Sequence, residues 1–74
     1  MPVITKGKFS GTTMYARRVE LGLTLEQVAE RVRRSVSTLW AWEAGSTQPR
    51  ANIIRALSEA LDVKPVYFFN GKDK

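Results

Sequence analysis

Residues 21–45 read LGLTLEQVAERVRRSVSTLWAWEAG, and this stretch predicts two short helices separated by a turn of three or four residues. Gly22 closes the segment before it. Thr24 and Gln27 are spaced as a capping box, in which hydroxyl and amide satisfy each other's backbone donors at the start of a helix. Leu25, Val28, Ala29 and Val32 then recur at i, i+3, i+4 and i+7, which gathers them on one face for burial. Arg33 and Arg34 interrupt the pattern. Ser35 is placed to cap the next helix, which runs to Ala44 and meets Gly45, a residue suited to the left-handed terminating position.

Outward from this pair the chain stays helical, with no strand signals. A first helix is predicted from Thr12 to Leu21, capped by Thr12 or Thr13, with Met14, Arg18 and Leu21 along one face. After a turn containing Gln48 and Pro49, a fourth helix is predicted from Arg50 to Leu61, burying Ala51, Ile54, Leu57, Ser58 and Leu61. Pro65 suits the first turn of a short fifth helix, PVYFF, ending before Asn70 and Gly71. Helical spacing points Tyr67, Phe68 and Phe69 toward helices one and four as core and dimer packing; stacking on unpaired bases is the other role open to them. Residues 1–11 lack helical periodicity and read as a flexible basic arm carrying Lys6 and Lys8, residues 12–71 as the folded domain, and residues 72–74 as a tail.

Composition narrows the function. The chain has 74 residues, 12 Lys and Arg against 7 Asp and Glu, a formal net charge of +5, and neither Cys nor His. One small core of this size stabilises by only a few kcal/mol, so self-association or a partner is expected. Lack of Cys removes disulfides and thiolate metal sites, and lack of His removes the commonest general base and metal ligand. No enzyme, metal or cofactor is expected. No apolar run approaches the roughly 20 residues that span a bilayer, and MPVITKGKFSG has no continuous apolar segment of the secretory type, so a cytoplasmic protein without membrane attachment is expected. The charge is also uneven: Lys6, Lys8, Arg17, Arg18, Arg31, Arg33 and Arg34 face only Glu20, Glu26 and Glu30 in residues 1–34. Such clustering is the electrostatic footprint of a protein that meets a polyanion.

Taken together, LGLT at 21–24, LEQVAERV at 25–32, the pattern S-x-S-T-L-x-x-W-E-x-G from Ser35 to Gly45, Pro49, and ALSEALDVKPVYFFNG at 56–71 resemble the Cro and phage-repressor type (XRE-like) helix-turn-helix family. The resemblance covers residues 11–71. It implies an all-α, five-helix lambda-repressor-like DNA-binding domain with a central helix-turn-helix, in which helix three enters the major groove and helix two crosses the backbone, usually in a two-fold dimer. It also implies an ion pair between Arg18 and Glu43. A guanidinium on the apolar face of helix one needs an acidic partner in any case. The chain departs from the family at three places. Leu25 stands where a phosphate-contacting Gln is usual, Arg33 replaces the Gly of the interhelix turn, and Arg34 replaces a small aliphatic residue.

At 100° per residue, Leu39 and Trp42 fall on the core side of helix three, with Ser35 and Thr38 nearby. Val36, Ser37, Trp40 and Ala41 fall on the other side, and with Ser35 they form the expected base-reading set. That side offers one hydroxyl where the family commonly presents several amide or guanidinium groups. Three readings of this face stay open: apolar contact with thymine methyls, an apolar patch for a protein partner, or a Trp40 folded back for structure. Thr24, Arg33, Arg34, Arg50, Lys6 and Lys8 are the candidates for phosphate contact, with Arg31 as a further basic neighbour. Arg50 leads them, because it opens a helix whose backbone donors favour an anion and matches a family position used for backbone contact. The expected protein is therefore a sequence-specific regulator of double-stranded DNA, a repressor acting as a homodimer. The alternative is a protein-interaction module on the same fold, an antitoxin or phage-type adaptor, using the Val36, Trp40 and Ala41 face.

Overall fold

The capping box forms as spaced: the Thr24 hydroxyl accepts from the Gln27 amide at 3.1 Å, and Gln27 Oε1 accepts from the Thr24 amide at 2.8 Å. It opens the second of five helices in a computed structural model that describes residues 8–70. These are α1 (Gly11–Glu20), α2 (Leu25–Val32), α3 (Val36–Ala44), α4 (Ala51–Ala60) and α5 (Tyr67–Asn70), with no strand among the described residues. Ser35 caps α3 by accepting from the Thr38 amide. Gly45, at φ 84°, ends it in the left-handed region. Arg33 does the same for α2 at φ 59°. A side chain there costs roughly 1–2 kcal/mol relative to the right-handed conformation, so the missing turn glycine is a built-in strain.

α3 packs against both α1 and α2, α2 against α4, and α1 against α5. Met14, Val28, Leu39, Leu57, Leu61 and Phe68 are fully buried at the centre. The result is a single core with α3 seated across two supporting helices, so that one side of α3 is held and the other is presented.

Helix one begins earlier than the sequence predicts. Ser10, neither Thr12 nor Thr13, is the cap and accepts from the Thr13 amide at 3.2 Å. Phe9 is buried, its ring 5.3 Å from that of Phe68 and 6.3 Å from that of Phe69, and the Ser10 amide donates to the Phe68 carbonyl at 2.7 Å. Residues 9–11 thus belong to the packed domain and not to an arm, because Phe9 completes an aromatic cluster that α5 cannot close by itself. Lys8 is exposed, while Lys6 and the 72–74 tail lie outside the described residues. Gly11 is required by tertiary packing. A Cβ there would sit 2.5 Å from the Glu43 carbonyl oxygen and closer still to that of Trp42, so the first turn of α1 rests directly on the last turn of α3.

Two further expectations shift. Leu21 falls at the cap beyond α1 and is 39% exposed. In α4 the buried residues are Ile53, Leu57, Ser58 and then Leu61, whereas Ala51 is exposed and Ile54 half-buried. Adjacent isoleucines differ by only 100° around a helix, and it is Ile53 that turns inward, lining one cavity with the buried Pro49 that precedes the Arg50 cap. α5 starts at Tyr67, with Pro65 and Val66 in the turn before it. Tyr67 and Phe68 are buried and Phe69 is half-buried.

Two arginines close the far end of α4. Arg17 donates to the carbonyls of Leu61 at 2.9 Å and Asp62 at 3.2 Å, and Arg31 donates to that of Ala60 at 3.2 Å. Cations at a helix C-terminus meet both orphan carbonyls and the negative end of the helix dipole. Arg31, a basic neighbour in the sequence reading, is exposed and turned toward the end of α4.

Candidate nucleic-acid interface

α3 has two unequal sides. Leu39 and Trp42 are buried, while Trp40 is 61% exposed and Ser37 and Ser35 are exposed; Val36 and Ala41 are half-buried. Val36 packs against the core cluster, so it contributes only an edge to the outward face. The hydroxyls at the start of α3 are drawn to one another: Ser35 Oγ lies 3.2 Å from Ser37 Oγ and 2.8 Å from Thr38 Oγ1. Trp40 therefore dominates the outward surface. Its indole shares the lining of a cavity of about 330 Å³ with Tyr15 of α1 and Leu25, the first residue of α2. Leu25 in place of the family's polar residue thus lines apolar surface beside the indole.

The inner wall of the same cavity is the Arg18–Glu43 pair. Arg18 Nε donates to Glu43 Oε2 at 2.7 Å and an Arg18 terminal nitrogen to Oε1 at 3.3 Å, with side chains 13% and 8% exposed. The remaining Arg18 nitrogen donates to the Leu23 carbonyl at 2.9 Å. The hydrogen bond to Glu43 holds the Arg18 pKa above the ordinary arginine value, against the desolvation that lowers it. The Tyr15 ring lies 5.3 Å from the guanidinium carbon, within cation–π range. This one side chain ties α1, the α1–α2 turn and α3 together, fixing the tilt at which α3 is presented. Tyr15 gave no sequence signal beyond an exposed helical position.

Positive charge flanks the outward face. Arg33 and Arg34 are exposed in the turn before α3, and the Arg34 guanidinium donates to the Arg33 carbonyl at 2.8 Å. Arg34 and Arg50 line one cavity of about 380 Å³ together with the amide side chains of Gln48 and Asn52. Arg50 is the cap residue of α4 and makes no side-chain cap hydrogen bond; the Ile53 amide donates to the Arg50 carbonyl at 2.9 Å, which leaves the amides of Ala51 and Asn52 for an anion. Gln48 and Asn52 were not singled out from the sequence, since only the fold brings them beside the two arginines. Thr24 is exposed at the start of α2, its hydroxyl occupied by the capping box. Among the described residues no cluster of three His, Cys, Asp or Glu side chains could hold a metal ion, and no helix is long and apolar enough to cross a membrane.

Residues 14–68, spanning the capping box, both helices of the pair and the aromatic turn of α5, match the helix-turn-helix family. The chain belongs to the Cro/C1-type helix-turn-helix family of DNA-binding transcriptional regulators. Solved structures agree. The chain is similar to the phage P22 c2 repressor in complex with a synthetic operator, with 29% identity over 88% of this chain and 98% of that one and a TM-score of 0.81. It is similar also to the restriction-modification controller protein C.AhdI from Aeromonas hydrophila, with 27% identity over 80% and 89% of the two chains and a TM-score of 0.76. The clp gene regulator ClgR from C. glutamicum shares the fold at 23% identity over 88% and 82%, with a TM-score of 0.72. No curated protein matches the chain by sequence.

Proposed function

We propose that this chain is a sequence-specific regulator of transcription that binds double-stranded DNA as a homodimer in the cytoplasm and acts as a repressor by occupying its operator. It carries out no catalysis. The observation that carries the reading is the placement of α3: one side locked by Leu39, Trp42 and the Glu43 ion pair, the other outward, with Arg34 and Arg50 gathered in one cavity beside the helix. In the major groove, Ser35, Val36, Ser37, Trp40 and Ala41 face base edges, while Arg33, Arg34, Arg50 and the exposed start of α2 at Thr24 lie where backbone phosphates pass. Lys8, exposed ahead of α1, is a further candidate for phosphate contact. The similarity to a repressor bound to a synthetic operator supports the same reading. Selection of bound duplexes from a random DNA pool, followed by sequencing, tests it. A two-fold symmetric consensus is the expected result, and retention of duplexes without sequence preference refutes it.

A second reading is favoured by the cavity between Tyr15, Leu25 and Trp40, an apolar site beside the α3 face that suits a protein partner. In that case the pool yields no consensus and Trp40→Ala changes protein capture without changing duplex retention.

A further inference from the structure

We infer that the outward face of α3 reads the C5-methyl groups of pyrimidines, so that operator affinity depends on methylation at carbon 5, whether the base carrying it is thymine or 5-methylcytosine. The inference rests on the proposed insertion of α3 into the major groove and specifies what is read there.

The residues of α3 are VSTLWAWEA, and none carries an amide, guanidinium or ammonium group. The usual bidentate donors to guanine and adenine edges are therefore missing from the helix itself. Its remaining polar groups are largely committed. Glu43 is held by Arg18, and the Ser37 and Thr38 hydroxyls both lie within hydrogen-bond distance of Ser35 Oγ. What the helix offers outward is the exposed Trp40 indole, with half-buried Ala41 and Val36 at its margins.

The major-groove edge of DNA presents one apolar group, the methyl at carbon 5 of thymine; every other feature is a hydrogen-bond donor or acceptor. Methylation of cytosine places the same group at the same position. An apolar face finds its complement there and nowhere else on the base edges. Arg34 and Arg50, gathered in one cavity with Trp42 of α3, offer positive charge to a phosphate bordering such a groove, which argues for duplex DNA as the occupant of this surface. Leu25 and Tyr15 line the same cavity as the indole, so the exposed ring borders apolar surface and stays open to a methyl group. The indole N–H adds a donor that thymine O4 can accept and the cytosine amino group cannot. Among methylated pyrimidines thymine is therefore preferred.

The test uses the full chain and the duplex recovered by selection. Uracil replaces thymine at each position in turn, and in a second series cytosine at those positions is compared with 5-methylcytosine. Loss of a contacted methyl should weaken binding roughly fourfold, and methylation of cytosine should strengthen it by a similar factor. Trp40→Ala should bind the thymine and uracil duplexes alike, with its salt dependence unchanged, whereas Ser37→Ala should keep the thymine preference. Equal binding of thymine and uracil duplexes by the parent protein overturns the inference while leaving α3 in the groove. A full thymine preference in Trp40→Ala overturns the assignment to that side chain. Failure to recover any consensus duplex overturns the proposed function and this inference with it. The uracil series is read on the parent protein, so it stands whatever the folding of the variants.

Discussion

Replacing Glu43 by alanine removes the acceptor for two hydrogen bonds of a guanidinium that is only 13% exposed. Breaking one side of such a pair costs about 3 kcal/mol or more, because the partner charge stays in place without its compensation. A single core in a domain of this size supplies about 3–5 kcal/mol, so Glu43→Ala should retain about 0–2 kcal/mol, between half and a few per cent unfolded at 25 °C. Arg18→Met adds separate losses, since it also strands the Leu23 carbonyl, about 1 kcal/mol, and gives up the Tyr15 ring, about 0.5 kcal/mol. The double variant has no buried charge to strand, and it should recover about 1–2 kcal/mol of the Glu43→Ala loss. Urea unfolding of the four proteins measures the cycle, in an Arg33→Gly background if the singles prove too unstable. A Glu43→Ala protein within about 0.5 kcal/mol of the parent, or a double variant as unstable as the sum of the singles, would show that the pair does not couple α1 to α3. Arginine remains charged across the usual pH range, and its pKa is raised further here. Its stabilising share is thus present at every pH below the unfolded value and is lost only as pH rises through the folded one.

Gly11→Ala should destabilise by about 2 kcal/mol, since the methyl meets backbone carbonyls of α3 that cannot swing aside; a raised melting temperature would mean helix propensity wins over the clash. Arg33→Gly should stabilise by about 0.5–1 kcal/mol, the left-handed penalty less the added freedom of glycine in the unfolded chain, and unchanged denaturant midpoints would contradict it. Arg50→Ala should lower the log–log salt slope of duplex binding by about one without altering site preference. Arg31→Ala should leave that slope alone and cost about 0.5 kcal/mol of stability, because its guanidinium serves the Ala60 carbonyl; an equal slope change for both would place Arg31 on the phosphates as well.

The central pair was legible because its signals are local. Thr24 with Gln27, Ser35 with Thr38 and Gly45 with the last turn of α3 all act within four residues, and the buried faces of Val28, Val32, Leu39 and Trp42 follow from helical period. The start of α1 was hidden for the opposite reason. Glycine at position 11 reads locally as a breaker, and only the α3 carbonyls lying against it explain why glycine opens a helix there. Phe9 reads as part of a polar stretch until α5 supplies its neighbours. The Ile53–Ile54 pair carries no phase information by itself, and Arg31 looks like any other exposed base until the end of α4 arrives beside it. At the interface, Trp40, Arg34 and Arg50 were readable one by one. Their grouping with Leu25, Gln48 and Asn52 required the fold.

The bond from Ser10 to Phe68 joins opposite ends of the described chain, and that placement orders events in time. A contact across so long a loop carries a large chain-closure entropy until the intervening helices have shortened the path. α2 and α3, whose caps and packing come from near neighbours in sequence, are therefore expected to assemble before the aromatic clasp shuts. The clasp buries Phe68 fully and Phe9 nearly so, and the Gly11 end of α1 lies against the last turn of α3, so opening the clasp also loosens one of the two supports of α3. The Ser10 amide should then exchange with solvent faster than those of Val32 or Leu39. The steadiness of α3 on its support is in this way governed by a short aromatic turn at the far end of the chain.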